Sequence, residues 1–115
     1  MGATRKEFSQ LIPLLNDNKS AGVLMEAFNR TIRFDLDGEP TRFFIVIAGN
    51  KMGLSEKASG DADIIVSGQT DELARVVRGE IDVTHLIANG NTKISKGKVS
   101  EMTLLNRIIA VQKRR

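Results

Sequence analysis

The sequence predicts one domain in which short helices flank an antiparallel sheet, and three observations lead there. The chain has 115 residues, 41% of them hydrophobic and 27% charged, the size and composition of a single core rather than of a disordered segment or of two cores. The hydrophobic period switches from helical to two at about Arg30. It returns to helical spacing after Thr70.

The elements follow in order. Residues 4–16 place Phe8, Leu11, Ile12, Leu14 and Leu15 on one side of a helix, which Pro13 should kink or end by removing a donor and restricting Ile12. Asn16 to Ser20 is a polar break, and Val23, Leu24, Ala27 and Phe28 then resume helical spacing. Ile32, Phe34 and Leu36 alternate with Arg33, Asp35 and Asp37, as in a strand with one buried face. The Asp37-Gly38-Glu39-Pro40 turn is short, so the aromatic and β-branched run Thr41 to Ala48 should pair antiparallel with that strand. Gly49-Asn50 reverses the chain into a weaker strand, Lys51 to Lys57, and after Ser59-Gly60 the segment Ala62 to Ser67 reads as a fourth. Thr70 is the expected cap of a helix that carries Leu73, Ala74, Val76 and Val77 and stops at Gly79. Asp82 caps a short helix through Leu86 and Ile87 to Asn89-Gly90. Thr92 to Ser95 is a fifth strand, and Ser100 is the expected cap of a last helix with Met102, Leu104, Leu105, Ile108, Ile109 and Val111 as its apolar positions.

In the second strand both alternating sets, Phe43/Ile45/Ile47 and Phe44/Val46/Ala48, are apolar, the pattern of a strand buried on both sides. Phe43, Ile45 and Ile47, with Ile65, are read as the outward set. Left bare they would form a patch that a monomer rarely tolerates, so a homodimer, or else the segment Phe8 to Leu15, should cover them.

Composition excludes several functions. There is no Cys and a single His, His85, which removes thiolate chemistry, Cys-based metal sites and multi-histidine sites. The longest apolar run, Phe43 to Ala48, is far too short to cross a bilayer, and the start lacks a signal-peptide pattern, so a cytoplasmic location is expected. Asp61 and Asp63, two apart, share the solvated side of a strand start. Gly49-x-x-x-Gly53 lacks the Lys-Ser/Thr of a phosphate loop and is turn chemistry. With no Trp or Tyr there is no stacking platform for single-stranded nucleic acid, and no specific nucleic-acid contact is expected. The formal charge of +3 is concentrated late: Lys93, Lys96, Lys98, Arg107, Lys113, Arg114 and Arg115 face one acid, Glu101, after residue 90. That basic end either complements a helix dipole or, through Lys113, Arg114 and Arg115, meets an anionic membrane surface.

From about Phe8 to Val111 the chain resembles the sterol carrier protein type 2 domain. Carrying the resemblance are Phe28-Asn29 leading into Ile32-Arg33-Phe34-Asp35-Leu36, and the apolar strand followed by Gly49, Asn50, Lys51 and Gly53. So do Ala62-Asp63-Ile64-Ile65-Val66-Ser67 with Leu73 to Gly79 and Ile81, and Leu86-Ile87-Ala88-Asn89-Gly90 with Lys93-Ile94. Where the family places a second Gly two residues after that Ile, this chain has Lys96, and Gly97 follows. The chain ends in Arg-Arg rather than the peroxisomal Ser-Lys-Leu.

The resemblance implies an α+β fold, a twisted antiparallel sheet of about five strands with helices over one face, and an apolar cavity between them for a sterol, acyl chain, phospholipid or similar amphiphile. Such a site needs apolar lining beyond what a close-packed core consumes and no catalytic group, cofactor or metal. The candidates are Phe34, Leu36, Phe44 and Val46 on the first two strands, and Leu73, Val76 and Val77 on the central helix. Leu86 and Ile87 before Gly90 and Leu104, Leu105, Ile108 and Ile109 on the last helix complete the set. Two functions compete: non-enzymatic lipid binding or transfer, and a protein-interaction module of a lipid- or quinone-handling complex.

Overall fold

The computed structural model describes residues 2–57 and 61–113, Lys113 by its backbone only. Its elements run α1 (Ala3–Asn16), α2 (Lys19–Glu26), β1 (Arg30–Asp37), β2 (Phe43–Ala48), β3 (Lys51–Ser55), β4 (Ile64–Gln69), α3 (Thr70–Val77), α4 (Val83–Ala88), β5 (Thr92–Lys96) and α5 (Val99–Lys113). Pro13 sits inside α1, which runs through it to Asn16. Ser59 and Gly60, the expected break before the fourth strand, lie outside the described residues, as do Arg114 and Arg115.

The five strands form one open sheet in the order β3-β2-β1-β4-β5. Three of its pairs are antiparallel, but β1 and β4 run parallel, Ile32 beside Ile64 and Phe34 beside Val66. The sheet is therefore mostly rather than wholly antiparallel. β4 returns to the free side of β1 instead of extending the meander beyond β3, and Asp63 starts the new pair: its N–H donates to the Thr31 carbonyl and its carboxylate accepts the Thr31 N–H, both at 2.8 Å.

All the helices lie over one face. The core unites Ile32 and Phe34 of β1, Ile64 and Val66 of β4 and the inward side chains of the helices into one cluster. The phase of β2 differs from the sequence-based expectation. Phe34 pairs with Phe43 and Ile32 with Ile45, and directly paired residues share a face, so Phe43, Ile45 and Ile47 point into the core at 0–1% exposure. They are covered from within the chain: the Phe8 ring of α1 lies 6.2 Å from Phe43 and 5.5 Å from Phe34, the latter two stack at 5.2 Å, and α2 packs against β2. The opposite face carries Phe44, Val46 and Ile65 among polar neighbours, with Phe44 between Arg33 and Ser55 in the register.

Caps explain the helix ends. Gly79 and Gly90 take φ of +81° and +84°. In each case the next residue's N–H reaches back five residues, Glu80 to Arg75 and Asn91 to Leu86, closing Schellman motifs. The Asp82 side chain caps α4 through the Thr84 N–H. Two expected caps are replaced. Thr70 is the first residue of α3 rather than its cap, and its hydroxyl is committed to Thr4 and Glu39. Ser100 lies inside α5, which starts at Val99; there Glu101 reaches back to the Lys98 N–H at 3.0 Å, half of a capping box.

Candidate functional site

The sheet, α3 and α5 enclose a small apolar void. Its wall is Phe8 of α1, Phe34 of β1, Leu73, Val76 and Val77 of α3, Val83 of α4, and Met102, Leu105, Asn106 and Ile109 of α5, and its volume is about 10 Å³. That is room for about one water-sized sphere, and the lining offers such a water little beyond Asn106 to bond.

Two surface clefts lie outside this wall. The first, about 430 Å³, has Leu11, Leu14, Val77 and Ile109 as its apolar part and Glu7, Gln10, Arg78, Glu80 and Gln112 as its polar part. The second, about 300 Å³, lies on Val76, Ile81, Asn106, Ile109 and Ala110, with Glu80 and Asp82 among its polar residues. Val77 and Ile109 border both the first cleft and the void, and Val76, Asn106 and Ile109 both the second cleft and the void. A partition one side chain thick thus separates outside from inside along the seam between α3 and α5.

The walls of this seam are held unequally. α1 and α3 are pinned by a buried polar set. The Thr4 N–H donates to the Thr70 hydroxyl at 2.9 Å, the Thr4 hydroxyl to the Thr70 carbonyl at 2.5 Å, and the Thr70 hydroxyl to Glu39 at 2.6 Å. Thr4 is wholly buried. α5 is tied by side chains that keep part of their surface in water: Arg30 to Glu101 at 2.7 Å, Asn18 to Gln112 at 3.1 Å, and the Val83 N–H to the Asn106 oxygen at 3.0 Å.

At the rim, Arg78 donates from Nε to Glu80 at 2.7 Å and from Nη1 to Glu7 at 3.1 Å, bridging the exit of α3 to α1. The hydrogen bond from Arg78 holds the Glu80 carboxyl below the usual carboxylate range. Its bonds to Glu80 and then Glu7 raise the guanidinium in turn. Both groups are ionised at neutral pH.

Of the residues singled out from sequence, Phe34, Leu73, Val76, Val77, Leu105 and Ile109 wall the void. Leu36, Leu86 and Ile108 are buried in the same core, and Ile87 and Leu104 pack half-buried against it. Phe44 and Val46 do not join them. The register that turns Phe43 and Ile45 inward turns these two to the other face, so they cannot line the same space. Sequence reasoning missed Phe8, Val83, Met102 and Asn106. Asn106 had a signal: it is a polar residue at helical spacing within the apolar stripe Met102, Leu105, Ile109. His85 is exposed, and Asp63 is spent on the β1 edge. Among the described residues no group of His, Cys, Asp and Glu could hold a metal, and no described helix is long and apolar enough to cross a membrane.

Residues 8–109 match the SCP-2 sterol transfer family. Among solved structures the chain is similar to a UbiJ-SCP2 ubiquinone synthesis protein (18% identity, TM-score 0.77, covering 97% of this chain and 92% of that one). It is also similar to sterol carrier protein 2 of Yarrowia lipolytica in its apo form (21%, 0.70, 94% and 90%). A third is the sterol carrier protein domain 2 of Helicoverpa armigera (14%, 0.78, 99% and 91%). No curated protein sequence matches significantly.

Proposed function

Because the chain belongs to the SCP-2 sterol transfer family, we propose that it is a non-enzymatic carrier that takes the apolar part of an amphiphilic lipid into the space now closed behind Val76, Val77 and Ile109. The observation that carries this reading is the thin partition itself: two clefts converge on the same apolar side chains, and an apolar void lies directly behind them. Ligand pockets run from about 300 Å³ upward. An empty space of that size would cost on the order of 7 kcal/mol at about 24 cal/mol per Å³, comparable with the whole stability of a domain. A carrier of this size therefore closes when empty and opens with its cargo. α5 is the wall that moves, since α1 and α3 are pinned by the buried Thr4–Thr70–Glu39 set.

The chain works in the cytoplasm as a single lipid-binding domain. Lys113, Arg114 and Arg115, the last three residues of the sequence, bring it to anionic membranes, each cation adding about 1 kcal/mol near such a surface. The homodimer reading loses the patch it rested on, since Phe43, Ile45 and Ile47 are covered from within and Ile65 lies on the other face. The likeness to a ubiquinone synthesis protein favours a second reading, an interaction module of a lipid- or quinone-handling complex. Solvent extraction and native mass spectrometry of the purified protein separate the two. A carrier yields a bound amphiphile, or accepts one on addition with a rise in its unfolding midpoint; a protein that stays lipid-free against alcohols, isoprenoids and phospholipids alike is not a carrier.

A further inference from the structure

We propose that the mouth of this site selects the polar end of the cargo: it admits uncharged or cationic head groups and turns away carboxylates. The inference rests on the carrier reading and narrows it to a class of amphiphile.

Charged residues around the two clefts are unbalanced. In their linings Glu7, Glu80 and Asp82 face one cation, Arg78, and a second, Arg75, reaches Glu80 from outside the linings at 3.6 Å. Arg78 is already engaged, Nε by Glu80 and Nη1 by Glu7. An incoming carboxylate that turns to the remaining N–H groups of Arg78 comes up beside both acids already bound there, and like charges at close range oppose it. The remaining polar groups at the mouth are amides. Gln10 and Gln112 lie at the first cleft, and Asn106, at the second, uses its oxygen for the Val83 N–H and leaves its NH2 to donate. Amides bond a hydroxyl or carbonyl without a charge. An ammonium gains two acids at either cleft, Glu7 and Glu80 at the first or Glu80 and Asp82 at the second. The local sign is thus opposite to that of the chain, whose formal charge is +3, so a preference against carboxylates cannot come from the overall field.

Three probes with the same 12-carbon chain, dodecanol, dodecylammonium and dodecanoate, test this at neutral pH and low salt below their micelle concentrations. The wild-type protein should bind the alcohol and the ammonium at least tenfold more tightly than the carboxylate. The ammonium arm separates the sign of the rim from the general cost of desolvating a charge. In Glu7→Gln/Glu80→Gln the acids are neutralised and Arg78 is freed, and the gap between ammonium and carboxylate should close to within about threefold. A wild-type protein that holds dodecanoate as tightly as dodecanol, or a double variant with an unchanged gap, overturns the head-group assignment while leaving the carrier standing. Failure of all three probes to bind either protein overturns the carrier reading and this inference together.

Discussion

Removing most of one side chain from the inner wall of the void measures how tightly that wall is packed. Leu105 is 3% exposed and walls the void from α5. Leu105→Ala loses its transfer free energy and enlarges a space that already exists, at about 2–5 kcal/mol for such a substitution. The facing side chains Phe8, Phe34 and Leu73 are held by the aromatic stack and the sheet, so little collapse can recover the loss and the upper half, about 3–5 kcal/mol, is expected. A domain of this size keeps about 5–15 kcal/mol, so the variant still folds. With a urea slope of about 1.5–2 kcal/mol/M its midpoint should fall by roughly 2 M. Dodecanol at a hundredfold excess over its dissociation constant adds about 2.7 kcal/mol to a protein that binds it. It should narrow the gap to wild type, because the enlarged space holds the chain better. A loss below about 1 kcal/mol would refute the tightly packed wall, and a gap that dodecanol leaves untouched would place the ligand elsewhere.

Three further outcomes are expected. Thr4→Val strips the buried set of the hydroxyl that serves the Thr70 carbonyl and should cost about 1–3 kcal/mol in urea unfolding; a loss under about 0.5 kcal/mol would mean that α1 and α3 are not pinned there. The hydrogen bond from Arg30, seconded by the Lys98 N–H, holds the Glu101 carboxyl below its usual range. Its stabilisation is therefore present above the ordinary carboxylate pKa and lost as pH falls through the lowered one. Glu101→Gln should trail wild type by about 0.5–1 kcal/mol at pH 7 and converge with it in acid, and parallel stability curves across that range would contradict the pairing. Replacing Lys113, Arg114 and Arg115 by Gln should weaken sedimentation with anionic vesicles at low salt without changing dodecanol affinity, whereas vesicle binding indifferent to both substitution and salt would reduce those cations to helix-end decoration.

What the sequence made legible follows its periodicities. The order of helices and strands shows in the change of period at Arg30 and its return after Thr70, and Asp82, Gly79 and Gly90 mark helix ends where the structure has them. The phase of β2 was hidden, because two apolar alternating sets carry no preference for one face. Only pairing with β1, whose Arg33 and Asp35 mark the outer side, decides that Phe43 and not Phe44 is inward. The parallel β1–β4 pair was hidden for a related reason: strand order is a tertiary property, and nothing in Ile64 to Gln69 names its neighbour. Half-legible describes the site. Apolar helical positions pointed to Val76, Val77, Leu105 and Ile109, but core and cavity wall share one composition, so Leu36 and Ile108 looked the same from sequence. Phe8 was hidden by distance along the chain, since only packing brings α1 to Phe34.

The most direct test of the central claim is a methyl-labelled spectrum of the protein titrated with dodecanol. Entry of the chain behind the seam between α3 and α5 should shift the methyl signals of Leu73, Val77, Leu105 and Ile109 together and saturably, and leave Val46 on the open sheet face where it was. Saturable shifts confined to Val46 and Ile65, or none at any of the four wall residues, would contradict it.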